Sequence, residues 1–164
     1  MILLTVGTQL PFDRFVAIVD RIAPQLPERI FAQVGHAQYR PANMDWRPFI
    51  GPIEFETMIR TCSLIISHAG IGTVVMAQRH RKPVILFPRR AALDEHRNDH
   101  QIATGRALAG RTGIGVAFDE AELLRLVMLP HAPIESVKAL PERERLCSAI
   151  GRIVAEEQRQ RLGA

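Results

Sequence analysis

At 164 residues the chain is sized for one domain able to bury a single real core. The hydrophobic fraction of 47% is typical of soluble globular proteins. A net charge of +4 and a pI near 9.8 suit phosphorylated ligands, anionic lipid or nucleic acid, but aromatics at 5% with no aromatic–basic interleaving argue against a nucleic-acid partner.

No apolar run approaches the ~20 residues that span a bilayer. The N-terminus, Met1 to Gly7, lacks a charged leader and reads as a first strand, not a signal peptide. Cys62 and Cys147 have no metal-ligand spacing and suit reduced thiols in a cytosol, with a disulfide between them left open.

In chain order, Ile2 to Val6 reads as a buried strand. Phe15, Ile18, Val19 and Ile22 recur at helical spacing over 13–26, ended by Pro27. Arg29 to Val34 is a second strand, closed by Gly35. Arg47 to Ile50 is a short third, closed by Gly51-Pro52. Glu54 to Thr61 is a short helix with Phe55, Met58 and Ile59 on one side. Ser63 to Ser67 is the fourth strand. A glycine turn follows, then a helix to about Arg81. Val84 to Phe87 is a fifth, closed by Pro88-Arg89-Arg90. A polar loop over 91–97 leads into a helix from about Asn98 to Leu108. Ile114 to Phe118 is the last strand, and Asp119 caps a helix to about Met128. Pro130 and Pro133 break the chain before a final helix over about 142–161. No internal repeat or linker divides 1–164. Strands separated by helices imply crossovers and a parallel sheet. The expectation is α/β: a single doubly wound, Rossmann-like parallel sheet of about six strands with a C-terminal helix.

The most informative stretch is His68-Ala69-Gly70-Ile71-Gly72-Thr73, between an apolar strand and a helix start. Glycines let the backbone turn tightly and approach a ligand, and the helix N-terminus presents unpaired N–H groups to an anion. Ligands of such sheets bind beyond the carboxyl ends of the strands. There Gly7-Thr8-Gln9, the His68 turn and Pro88-Arg89-Arg90 converge on one edge.

Val6-Gly7-Thr8, Ser67 to Thr73, Lys82 to Pro88 and His96-Arg97-Asn98-Asp99-His100-Gln101 occur in this order. Over roughly residues 1–128 they resemble the C-terminal, UDP-sugar-binding half of family 28 glycosyltransferases. They are most similar to the small PssE-type subunits of exopolysaccharide synthesis, and also similar to the small catalytic subunit of the dolichol-linked N-acetylglucosaminyltransferase. The resemblance implies one half of a GT-B fold and an inverting transferase that needs no metal or other cofactor. It places Gly7 and Thr8 beside the donor diphosphate. His68, Gly70, Gly72 and Thr73 match the phosphate-binding turn and helix start. Asp99 and Gln101 match the element that contacts the donor sugar. Where the family has a glutamate for the ribose hydroxyls, this chain has Met76, whose thioether accepts hydrogen bonds poorly. The missing half is implied to be a separate, membrane-associated subunit holding a lipid-linked acceptor and the general base. No catalytic residue is therefore assigned here. The chain itself is expected in the cytoplasm, peripheral at the inner face of the membrane through that partner.

Two features stay open. Arg89 and Arg90 suit a diphosphate or a uronic-acid carboxylate, or form a solvated loop pair. Leu146, Ile150, Ile153 and Val154 make an apolar stripe that packs on its own domain or on a partner. His96 and His100, four apart, have helical metal-pair spacing, but no third ligand is apparent. Three functions compete: a UDP-sugar-dependent hexosyltransferase subunit, a non-catalytic nucleotide-sugar-binding partner, and another nucleotide binder. The last lacks Gly-x-Gly-x-x-Gly after its first strand and an acidic residue on the second.

Overall fold

The structure, a computed structural model, describes residues 1–135 and 141–162. One parallel sheet contains β1 (Ile2–Thr5), β2 (Ile30–Gln33), β3 (Asp45–Arg47), β4 (Leu64–His68), β5 (Val84–Phe87) and β6 (Ile114–Val116). Their order is β3-β2-β1-β4-β5-β6. The helices are α1 (Asp13–Ile22), α2 (Pro52–Thr61), α3 (Ile71–Arg79), α4 (His100–Leu108), α5 (Glu120–Val127) and α6 (Pro141–Leu162).

Alternate strand residues serve two cores. Leu4, Ile66, Ile85 and Phe87 meet Phe15 and Val19 of α1 and Leu123 and Val127 of α5. Leu3, Ile65 and Leu86 meet Ile59 of α2, Val74 and Ala77 of α3 and Leu108 of α4. Both faces are thus covered, which is why the central strands read as unbroken apolar runs. The doubly wound architecture is as expected from the sequence.

Element ends differ in three instructive places. Helix α1 stops at Ile22, and a 3-10 turn over Ala23–Gln25 follows. Pro24 enters that turn, where its missing N–H and its ring cannot continue the α-helical ladder; Pro27 is not the terminator. Helix α2 begins at Pro52, a first-turn position where no N–H is needed. Strand β3 covers Asp45–Arg47 instead of 47–50. Its hydrogen bonding continues only to the Pro48 carbonyl, which accepts from Gly35 N at 2.8 Å. Phe49 then leaves the sheet and meets His36 edge-on, ring centres 4.9 Å apart.

Asp119 caps α5 as expected, its Oδ1 accepting from Glu122 N at 2.8 Å. Cys62 is buried and Cys147 exposed, both as free thiols. Among the described residues no helix is long and apolar enough to cross a membrane. Helix α6 leaves Ile150 and Ile153 exposed; the side chains of Leu146 and Val154, the rest of the expected stripe, lie outside the described residues.

The long β2–β3 connection is fastened by carboxylates of α1. Asp13 Oδ1 accepts from Gln38 N (2.7 Å) and Tyr39 N (2.6 Å). Buried Asp20 accepts from Tyr39 Oη (2.9 Å), Asn43 N (2.8 Å) and Ala42 N (3.1 Å). Hydrogen bonds to a charged acceptor are worth about 1.5–3 kcal/mol each, with imperfect additivity. Asp20→Ala is expected to lower stability by roughly 3 kcal/mol in urea unfolding. A loss below about 1 kcal/mol would mean the loop is held mainly by other contacts.

Candidate functional site

After β1 the chain turns to α1 on one face; after β4 it turns to α3 on the other. Adjacent parallel strands whose continuations diverge leave a crevice at their carboxyl ends. A cavity of about 730 Å³ occupies it, within the range of small-molecule sites.

Of the residues singled out from sequence, Gly7, Thr8, His68, Gly70, Gly72, Thr73, Arg89 and Gln101 line this cavity. Asp99 is not among the lining residues; its Oδ1 accepts from Ala91 N at 2.8 Å, fastening the loop after β5. Arg90 donates from Nη2 to the Phe118 carbonyl and from its backbone N to Glu95 Oε2 at 2.9 Å.

The two glycine turns close around one imidazole. Gly7 has φ +80°, and a Cβ there would come within 2.8 Å of His68 Cε1. A Cβ at Gly70 would overlap His68 Nε2. These two glycines therefore make room for His68. Gly72 is different: a Cβ there would meet nothing within 4 Å, because it faces the open cavity. Gly70, the residue before α3, has no side chain to cap the helix, so the first-turn N–H groups, Gly72 and Thr73 among them, have no side-chain cap.

His68 Nδ1 lies 3.3 Å from Ser67 Oγ. Burial, then the positive charge of Arg89, lowers its pKa from 6.5 to about 4. The ring is neutral at pH 7. Arg89 is 2% exposed. Its Nη2 donates to Val6 O (3.0 Å) and Leu10 O (2.8 Å), and its Nη1 to Pro11 O and to Glu95 O (3.4 Å). Its guanidinium also lies over Phe12, 4.3 Å from the ring centre. Burial lowers its pKa to about 10, with Glu95 opposing, so it stays charged at pH 7. Arg89 N donates to Gln101 Oε1 at 3.2 Å, which turns the Gln101 amide nitrogen away from that bond.

Sequence reasoning left out Gln33, Ile50, Pro52, Phe55, His96 and His100 from the ligand-lining set; all line the cavity, as do Gln9 and Met76. Gln33 had a signal: a buried glutamine ending an apolar strand. Its Nε2 donates to Gly7 O at 3.5 Å. His96 and His100 meet edge-on, ring centres 4.4 Å apart, and His96 Nδ1 is enclosed without a partner. Burial first, then the charges of His100, Arg89 and Arg97, lower the His96 pKa. Among the described residues no group of three ligating side chains assembles for a metal.

Among the described residues no carboxylate lines the cavity. Glu95, nearby in sequence, is bidentate to Arg14 (2.5 and 2.8 Å). The walls hold one buried cation, three imidazoles, two glycine turns and a helix N-terminus.

The His68 shift has a sign that can be checked. Its folded pKa, about 4, lies below the value of 6.5 expected when unfolded. Between those values the unfolded chain binds a proton that the native ring refuses, so stability falls as pH drops from about 6.5 to 4. His68→Gln is expected to flatten that part of the stability profile. The Cε1–H resonance of His68 should titrate near pH 4; a midpoint above 6 would place the ring in water.

In architecture the chain is similar to the solved glycotransferase of kitacinnamycin (TM-score 0.59, 15% identity, 77% of this chain and 33% of that one). It is also similar to Acinetobacter baumannii MurG (0.56, 23%, 77% and 39%) and to the solution structure of ALG13 (0.56, 19%, 88% and 93%). The likeness at these identities is one of fold. The chain spans about a third of the first protein's length and nearly all of the last. No curated protein matches the sequence. The profile of the glycosyltransferase family 28 C-terminal domain matches residues 1–123, β1 into α5, and the chain belongs to that family.

Proposed function

We propose that this chain is the donor-binding subunit of an inverting glycosyltransferase that uses a UDP-sugar and a lipid-linked acceptor. The carrying observation is the carboxylate-free cavity with the open N-terminus of α3 in its wall. Such a wall attracts a diphosphate and does not repel it. On this reading the diphosphate sits over Gly72 and Thr73, beside Gly7 and Thr8, with neutral His68 behind it. Gln101 offers its amide nitrogen to the pyranose, whereas Asp99 acts by shaping the loop. The apolar lip of Ile50, Pro52, Phe55 and Met76 suits the nucleoside.

In the transfer, the acceptor oxygen attacks the anomeric carbon and the bond from that carbon to the diphosphate oxygen breaks. The pair of electrons leaves with UDP. The helix N–H groups and the Arg89 charge stabilise that developing negative charge. A general base must take the acceptor proton. We assign it to the acceptor-binding subunit, which would bring this chain to the inner face of the membrane. Exopolysaccharide or related glycan synthesis is the setting that fits. A nucleotide-sugar-binding partner without catalysis is the second reading, favoured by Met76 in place of a ribose-binding carboxylate.

Calorimetric titration with UDP tests the site. Gly72→Val, whose side chain would enter open space, is expected to keep the melting temperature and lose at least tenfold in UDP affinity. Unchanged affinity in that folded variant would overturn the assignment. Met76→Glu is expected to tighten UDP by roughly 1.5–3 kcal/mol, the value of a hydrogen bond to a charged acceptor. No gain would show that the ribose lies elsewhere or is held by another group. Sugar transfer from UDP-sugars with and without a co-expressed membrane partner separates the two readings.

A further inference from the structure

Arg89 presents a choice between binding a ligand and building the site. Its two terminal nitrogens carry four hydrogens, and four backbone carbonyls accept from them: Val6, Leu10, Pro11 and Glu95. A phosphate can take a terminal N–H only by displacing one of these carbonyls. Three of the four belong to the turn between β1 and α1. The fourth belongs to the loop between β5 and α4. Through its backbone N–H, the same residue holds Gln101 Oε1 on α4. Phe12 covers the guanidinium on one side.

We propose that Arg89 is a positioning residue: its guanidinium fork sets the shape of the 6–11 turn and joins it to the Gln101 wall, and its terminal nitrogens do not contact the ligand. The geometry requires a planar fork. An ammonium has three donors on one atom and cannot reach Val6, Leu10, Pro11 and Glu95 carbonyls together. The Arg14–Glu95 pair reinforces the same junction from the far side, and it leaves the Arg89 charge without a carboxylate partner of its own. The positive charge therefore acts on a ligand through space, while the hydrogen bonds act on the protein.

The ligand part of this inference rests on the UDP-site reading; the turn-shaping part does not. Arg89→Lys and Arg89→Met are compared with wild type in two measurements. Hydrogen exchange of the ligand-free proteins reports the turn directly. Protection of the Val6 and Gly7 amides, which donate to the Gln33 carbonyl and to Thr5 Oγ1, is expected to fall in both variants, while that of β4 and β5 stays. Intact protection in Arg89→Lys overturns the proposal, whatever UDP does. UDP titration is the second measurement. Both variants are expected to lose at least tenfold in affinity, Arg89→Met more than Arg89→Lys because it also removes the charge that acts through space. Full affinity in Arg89→Lys, with loss only in Arg89→Met, would make Arg89 a charge contact and overturn the proposal. Failure of wild type to bind UDP would sink the donor-site reading and leave the exchange result to judge the turn. Should both variants fail to fold, the Arg89 Nη–H resonances of wild type decide. Resolved, slowly rotating signals that barely move on adding UDP support the clamp, and a large downfield shift on adding UDP refutes it.

Discussion

Everything at the site follows from two parallel strands that sit side by side and send their chains to opposite faces of the sheet. From β1 the backbone turns toward α1, and from β4 it turns toward α3. Neither turn can cover the gap between them. The imidazole of His68 partly fills that gap, and it fits because residues 7 and 70 have no Cβ. A side chain at either glycine would push the ring outward into the cavity. The steric demand runs from the sheet to the ring to the glycines, with the ligand meeting the surface that remains.

The charge pattern is equally constrained by the protein's own needs. Two acidic side chains near the cavity, Glu95 and Asp99, are occupied in holding loops. Glu95 meets Arg14, which lies over Phe87 with its Cζ 4.8 Å from the ring centre. Asp99 takes the Ala91 N–H. What faces the cavity is therefore donor-rich: helix N–H groups, the Gln101 amide and the neutral imidazole of His68, near a buried cation. Burying that cation is unfavourable in itself, and its lowered pKa is the signature of that penalty. Four carbonyls offset it. A diphosphate brought nearby would offset it further, since its charge meets a guanidinium that has no carboxylate partner.

The sequence was legible where one residue type at one place has one physical meaning. The apolar runs of β1, β4 and β5, the Gly70 to Thr73 helix start and the Asp119 cap all belong to that class, and the chain order of these elements predicted the parallel sheet. The end of α1 was misread because two prolines stand three residues apart and only Pro24 sits where the ladder must stop. Strand β3 was misplaced because Phe49 and Ile50 look like strand residues, although the first packs on His36 and the second lines the cavity. The partners of Arg89 were out of reach for a different reason. They are backbone carbonyls, which no sequence pattern marks, and those of the 6–11 turn lie 78 to 83 positions away.

A wall of this composition treats the two ends of a transfer reaction unequally. A departing diphosphate gains negative charge and would find N–H donors already oriented, so little reorganisation is needed as that charge develops. An attacking hydroxyl must instead lose a proton, and among the described residues the lining holds no carboxylate to receive it. His68 is a poor base, since its proton affinity is lowered by burial and by Arg89. The buried Arg89 charge that makes the site receptive to a leaving anion also lowers the proton affinity of His68 and His96. On the donor-binding reading, this division explains why a family 28 C-terminal domain of this kind would work beside a second protein surface. On that proposal the second surface would contribute basicity, and this chain the leaving-group site.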